Sequence, residues 1–176
     1  MNPSLTLRMR FIRLLTWMLL LSPVAAFALP EDRNQSLRIA ADKQEVDLKQ
    51  GVVVYSGNVI LVQGTLEIRA QKIRVHKDKN QAEESFTAEG SPARYQQQPE
   101  AGKPIIHAEA STIHYNARTE QLTLDKNVSI EQNGTVTKAG HVDYDIKSQT
   151  AKFSMGNGNN SGRVETVIPA KNEQKE

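Results

Sequence analysis

Between Val52 and Val75 the chain reads VVVYSGNVILVQGTLEIRAQKIRV, with apolar residues at every second position and breaks at Gly57-Asn58, Gly64-Thr65 and Ala70-Gln71. A period of two sends alternate side chains to opposite faces of a sheet. Val, Ile, Tyr and Thr suit a pleated, half-buried surface, and Gly and Asn accept the backbone angles of turns. The stretch therefore predicts consecutive short antiparallel strands. Beyond residue 28 no window carries an apolar stripe at i, i+3, i+4 and i+7, so an amphipathic helix is not expected.

The same pattern runs through most of the chain. Leu37 and Ile39 predict a first strand, Ala41-Asp42-Lys43 a turn, and Val46 and Leu48 the start of a second strand. Downstream, Phe86/Ala88 run into Gly90-Ser91-Pro92, Ala93/Tyr95 follow, and 96–103 form a polar loop around Pro99 and Gly102. Inward pairs resume at Ile106/Ala108, Ile113/Tyr115, Leu122/Leu124, Val128/Ile130, Val142/Tyr144 and Ala151/Phe153. Asn133-Gly134 is the strongest short hairpin signal. A last strand around Val164–Ile168 is stopped by Pro169. About sixteen short strands spaced about ten residues apart is the rhythm of an all-β sandwich, jelly roll or barrel.

The leader must be set aside before composition is read. Arg8, Arg10 and Arg13 precede an apolar run, Leu14 to Leu21, followed by Pro23 and the small-residue site Ala26-Phe27-Ala28. This is the pattern of a secretory signal peptide over 1–28, and the run is too short to span a bilayer comfortably. With no cysteine, a lipid-anchored form is not expected. The whole chain carries 22 basic and 20 acidic residues, and the leader holds three of the basic ones, leaving 19 against 20. The formal positive charge belongs to the leader and argues nothing for nucleic acid. Cleavage leaves 148 of 176 residues, enough for one domain that buries a core without disulfides. The expected organisation is a flexible leader over 29–36, one β domain over 37–168, and a disordered polar tail over 169–176, exported to the periplasm of a Gram-negative cell.

A weak internal echo supports a repeated architecture. A shift of 69 residues places Asn58-Val59 on Asn127-Val128 and Ala70 on Ala139. The recurring unit is Ala-x-x-apolar-x-apolar, at Ala70…Ile73-x-Val75, Ala110…Ile113-x-Tyr115 and Ala139…Val142-x-Tyr144. Units that cannot bury their own apolar face imply stacked neighbours and a continuous core.

Residues with chemistry point to no reaction. His107, His114 and His141 alternate with inward apolar residues and fall on the outer face, with neither cysteines nor an H-x-x-x-H pair to complete a metal site. No G-x-S-x-G is present, and Gly156-Asn157-Gly158 lacks the Lys-Ser/Thr and helix of a phosphate loop. Arg69, Lys72, Arg74 and Lys77 are interspersed with acids and read as a solvated outer strand face. Neither an enzyme nor a cofactor is expected.

The apolar face is the remaining signal. Its inward series comprises Leu37, Ile39, Val46, Val54, Val59, Leu61, Leu66, Ile68, Ile73, Val75, Phe86, Tyr95, Ile106, Ile113, Tyr115, Leu122, Leu124, Val128, Ile130, Val142 and Tyr144. Two readings stand side by side. One is an ordinary filled sandwich. The other is a long, thin interior, short of large fillers and open along one side, that accepts acyl chains at roughly 0.8 kcal/mol per buried methylene.

The order of IAADKQEVDLKQGVVVYSGNVILVQGTLEIRAQKIRV, GSPARYQQ and HAEASTIHYNARTEQLTLDKNVSIEQ resembles the LptA (OstA-like) family of periplasmic lipopolysaccharide-transport bridge proteins over about Leu37 to Ile168. Ala41-Asp42, Tyr55-Ser56-Gly57-Asn58-Val59, Gln63-Gly64, Ala70-Gln71-Lys72, Gly90-Ser91-Pro92-Ala93 and Ala110-Ser111…Tyr115 carry the resemblance. Ala139-Gly140-His141 departs from it and reads as an outward turn. The resemblance implies an open, taco-like β-jelly roll whose inward series holds lipid A acyl chains. It also implies an LptC-like inner-membrane neighbour, an LptD-like outer-membrane neighbour, and head-to-tail copies of the chain itself. The expected assembly edges are Leu37, Arg38, Ile39 and Ala40 at one end and Val164, Thr166 and Ile168 at the other, since unpaired strands recruit further strands. The alternative is a closed β-barrel carrier of a small apolar ligand, in which no edge remains.

Overall fold

The structure, a computed structural model, describes residues 32–77, 83–156 and 162–170. The predicted signal peptide and most of the polar tail lie outside the described residues. After a 3₁₀ turn at Asp32–Asn34 come ten strands: β1 (Arg38–Ala40), β2 (Lys43–Asp47), β3 (Val52–Gln63), β4 (Leu66–Lys77), β5 (Glu83–Gln97), β6 (Ile106–Asn116), β7 (Gln121–Gln132), β8 (Thr135–Asp145), β9 (Thr150–Ser154) and β10 (Glu165–Val167). All pairings are antiparallel, from β3 through β8 in sequence order. The short strands border this central run. β1 and β2 both pair with β3, and β9 and β10 both pair with β8. Among the described residues the two ends of the sheet do not meet, so it is open and the closed-barrel alternative fails.

Ten strands stand where about sixteen were expected, and the difference has one cause. Gly57-Asn58, Ala70-Gln71, Gly90-Ser91-Pro92, Ala110-Ser111, Lys126-Asn127 and Ala139-Gly140 are not hairpin turns. They are irregularities inside the six long strands, lying on adjacent strands where the pairing register shifts. A β-bulge adds unpaired residues to one strand, bends it and increases its twist. Aligned across six strands, the bulges fold the sheet along a line. Counted on either side of that line, the six long strands and four short ones give sixteen segments.

The fold line divides the sheet into two facing layers. The first holds β1, residues 59–63, 66–70, 93–97, 106–110, 128–132 and 135–139, and β10. The second holds β2, residues 52–56, 72–77, 83–89, 112–116, 121–125 and 141–145, and β9. Buried side chains from both layers form one core, and Leu61, Leu66, Ile68, Ile73, Ile113 and Leu124 are fully screened from solvent.

The sequence echo is this fold line. In β4 the inward series runs Leu66, Ile68, Ala70 and then steps three residues to Ile73 and Val75. β6 does the same at Ala110 to Ile113, and β8 at Ala139 to Val142. Alanine occupies the inner corner of each of these bends, where the layers converge and a longer side chain would overpack. Gly57, at a φ of 79° on the neighbouring bend, faces the Asp42 carboxylate so closely that a β-carbon would collide with it. Asp42 also accepts a hydrogen bond from Asn58 Nδ2 at 3.0 Å.

Candidate functional site

Cross-strand pairs stand on the same side of a sheet, so the register fixes which residues line the interior. Most of the predicted inward series lies on the inner face. From Val59 through Val128 its members in β3 to β7 are buried, as is Val142 in β8. Leu37, Ile39, Ile130 and Tyr144 face the same core but are only partly covered. Val46 pairs with the inward Val53, yet it sits on the sheet edge and is 54% exposed. Val54 is a correction. It pairs with Arg74 on the outer face, while Val53 pairs with the buried Val75. The run Val52-Val53-Val54 has no alternation of its own to reveal this.

Around β4 to β6 the interior is filled. Phe86 and Tyr115, neighbours across β5 and β6, stack with ring centroids 5.9 Å apart. Tyr95 is buried beside them, and burial first, then the neighbouring Tyr115, Tyr144 and Asp32, hold its phenol well above the ordinary tyrosine pKa. The Tyr95 hydroxyl donates to Gln97 Oε1, and Gln97 Nε2 donates to Asp32 Oδ2 at 2.6 Å. Thr65 donates to the same carboxylate from its backbone N–H and its hydroxyl, both at 2.7 Å. Residues 32–34, expected to belong to a flexible leader, are therefore docked on the β3–β4 turn and the end of β5 by Asp32. A lone Asp in a polar leader gives no hint of this role.

Toward β8 and β9 the filling gives out. A cavity of about 270 Å³ opens between the layers. Ile106, Ala108 and Ile130 line it from the first layer, and Leu122, Tyr144, Ala151 and Phe153 from the second. Gln132 and Gln149 stand at its polar rim. The sequence places Ile106, Ala108, Leu122, Ile130, Tyr144, Ala151 and Phe153 inward but does not single out the two glutamines. Their signal is weak, since polar residues near strand ends look the same in a core and at a mouth.

The outer face is charged and paired. Arg69 meets Glu67 at 2.5 Å, Arg74 meets Glu89 at 2.5 Å, and Arg94 meets Glu109 at 2.8 Å. His107 and His114 are exposed on this face, as expected from their alternation. His141 lies between two carboxylates, Nδ1 at 2.7 Å from Asp125 and Nε2 at 3.2 Å from Asp143. The hydrogen bond to Asp125 is the chief reason its pKa is raised; desolvation opposes it, and Asp143 adds to the rise. Ala139-Gly140-His141 is part of β8 rather than an outward turn, and a β-carbon on Gly140 would strike the Met155 carbonyl.

The bent, open sheet with an inner apolar face is shared with known proteins. A model described as LptA/(LptD N-terminal domain) LPS transport protein matches residues 38–150. The chain belongs to this family. It is 35% identical over 152 residues to the lipopolysaccharide export system protein LptA of Haemophilus influenzae, covering 85% of this chain and 86% of that one. Lipopolysaccharide export system protein LptH of Pseudomonas aeruginosa is 33% identical over 150 residues, covering 83% of this chain and 86% of its own. The crystal structure of LptH from the same organism superposes with a TM-score of 0.73 at 31% identity, over 80% of this chain and all of that one. That protein is described as the LptA-homologous periplasmic component of the lipopolysaccharide transport device.

Proposed function

We propose that this protein binds lipopolysaccharide in the periplasm and carries it toward the outer membrane as a non-enzymatic link in a bridge. The observation that carries this reading is the apolar cavity between the two layers at the β8–β9 end, where Ile130, Tyr144 and Phe153 are only partly covered. Acyl chains enter there by aliphatic contact, about 0.8 kcal/mol per methylene, which asks for no reaction and no hydrogen-bonded recognition. The sugar head group stays in water at the rim. Leu37, Ile39 and Val46 offer a second partly covered apolar surface at the opposite end, where an incoming chain is received.

The bridge follows from the edges. Among the described residues β1 and β2 each have one side without a strand partner, and so do β9 and β10. Exposed apolar side chains gather at these borders, with Val46 and Leu48 near one and Val167 and Ile168 near the other. Strand addition there joins copies head to tail without closing, and the same edges suit an LptC-like partner at the inner membrane and an LptD-like partner at the outer membrane. Photocrosslinking amino acids at Tyr144 and Phe153 are expected to capture lipopolysaccharide in the folded protein, while one at the outward Thr87 captures none. Equal capture at all three positions, or none at the two inner ones, would sink the reading.

A further inference from the structure

The loop between β5 and β6, residues 98–105, is tied to two residues that line the cavity. It is shaped by its own bonds, Gln98 Nε2 to the Lys103 carbonyl at 2.9 Å and Lys103 N–H to the Glu100 carbonyl at 3.1 Å. Two outward ties matter more, because both end on glutamines that line the cavity. Gln132 Nε2 donates to the Pro104 carbonyl at 3.4 Å, which holds the loop to its own layer. Gln149 Nε2 donates to Glu100 Oε1 at 2.6 Å, and this bond spans from the first layer to the β8–β9 turn of the second. Glu100 also helps to raise the pKa of the cavity-lining Tyr144, after burial and Asp145, which places its charge near the opening.

The resting cavity is small. At about 270 Å³ it lies just below the range of about 300–1,000 Å³ usual for sites that enclose a drug-sized ligand. A lipid with several acyl chains fits only if the layers part there, and the Glu100–Gln149 bond ties the β5–β6 loop of the first layer to the β8–β9 turn of the second beside the cavity. We propose that Glu100 and Gln149 form a clasp that holds the slot shut at rest and must release before a multi-chain lipid enters. The inference rests on the lipid-binding reading above and adds a gate and its residues to it. One exposed hydrogen bond is weak enough to break and re-form readily, which suits a gate and would not suit a structural tie.

The test uses the absence of cysteine from the chain. In the double variant Glu100→Cys, Gln149→Cys, a short bis-maleimide joins the two positions without competing thiols. With lipopolysaccharide labelled on its sugar, stopped-flow association is expected to slow at least about tenfold on cross-linking, and thermal unfolding confirms the fold. Glu100→Ala and Gln149→Ala are expected to bind about threefold faster than the native chain, the size of effect that losing one exposed hydrogen bond allows. Binding at an unchanged rate in cross-linked and open forms would overturn the clasp while leaving the lipid site standing. No binding by the native chain or any variant would overturn both.

Discussion

At the scale of single residues, the clearest consequence is a dependence on pH at the bend of β7 and β8. His141 has a folded pKa raised above its ordinary value, chiefly by its hydrogen bond to Asp125. A group raised in this way stabilises the fold fully below its unfolded pKa of about 6.5, and the contribution fades as pH rises through the higher folded value. His141→Gln is therefore expected to lower the thermal midpoint more at pH 6 than at pH 8.5, with the gap shrinking in high salt because the imidazole is partly exposed. Asp145 runs the other way. The Ser148 N–H, donating at 2.8 Å, holds its carboxyl below the usual range, so its contribution fades only as the solution turns acid. Equal losses for His141→Gln at both pH values would refute the assignment. Residue-level reading from sequence failed where alternation was missing. Val54 was placed inward because three valines in a row give no phase, and only pairing with Arg74 shows that the phase is set by Val53.

At the scale of elements, the turns at Gly64-Thr65 and Asn133-Gly134 are legible, since Gly and Asn there take positive φ between paired strands. Gly57-Asn58, Ala70-Gln71, Gly90-Ser91-Pro92 and Ala139-Gly140 look like turns in the sequence for a physical reason. A bulge asks for the same residues as a turn, and at Gly57-Asn58 and Lys126-Asn127 for the same left-handed backbone, so local sequence cannot tell a strand that bends from a strand that ends. The Ala-x-x-apolar step was the discriminating signal, because a three-residue shift of the inward series is what a bulge leaves behind. Ala110 tests this account. It is fully buried at the corner of β6, opposite Ala93. Ala110→Leu should force the layers apart at the fold line and cost about 1–3 kcal/mol, whereas the same change at the exposed Ala101 should cost almost nothing. Urea unfolding measures both, and a tolerated leucine at Ala110 would show that the corner is not tight.

At the scale of the whole molecule, an inner apolar face and an open sheet were readable in the sequence, but the division of that face into a filled part and an empty part was not. Ile68 and Ile130 are equivalent in pattern, yet one is sealed in the core and the other is partly covered and lines a cavity. The same incompleteness bears on the proposed assembly. Each end of the sheet is bordered by two short strands, one per layer, with Leu48 83% and Ile168 74% exposed beside them. A monomer leaves this apolar surface in water, and adding a strand from a second copy would cover it while prolonging the slot. Because the two ends differ, a contact between them would propagate rather than close into a pair. Removing 164–168 deletes β10 but leaves β3 to β9 and every residue lining the cavity in place. The truncated chain is expected to bind lipopolysaccharide with native affinity while its scattering mass stays that of a monomer as concentration rises, whereas the full chain lengthens. If the truncated chain still forms long particles, the β10 edge is not the joint; if it loses lipid as well, the slot and the joint are one site rather than two.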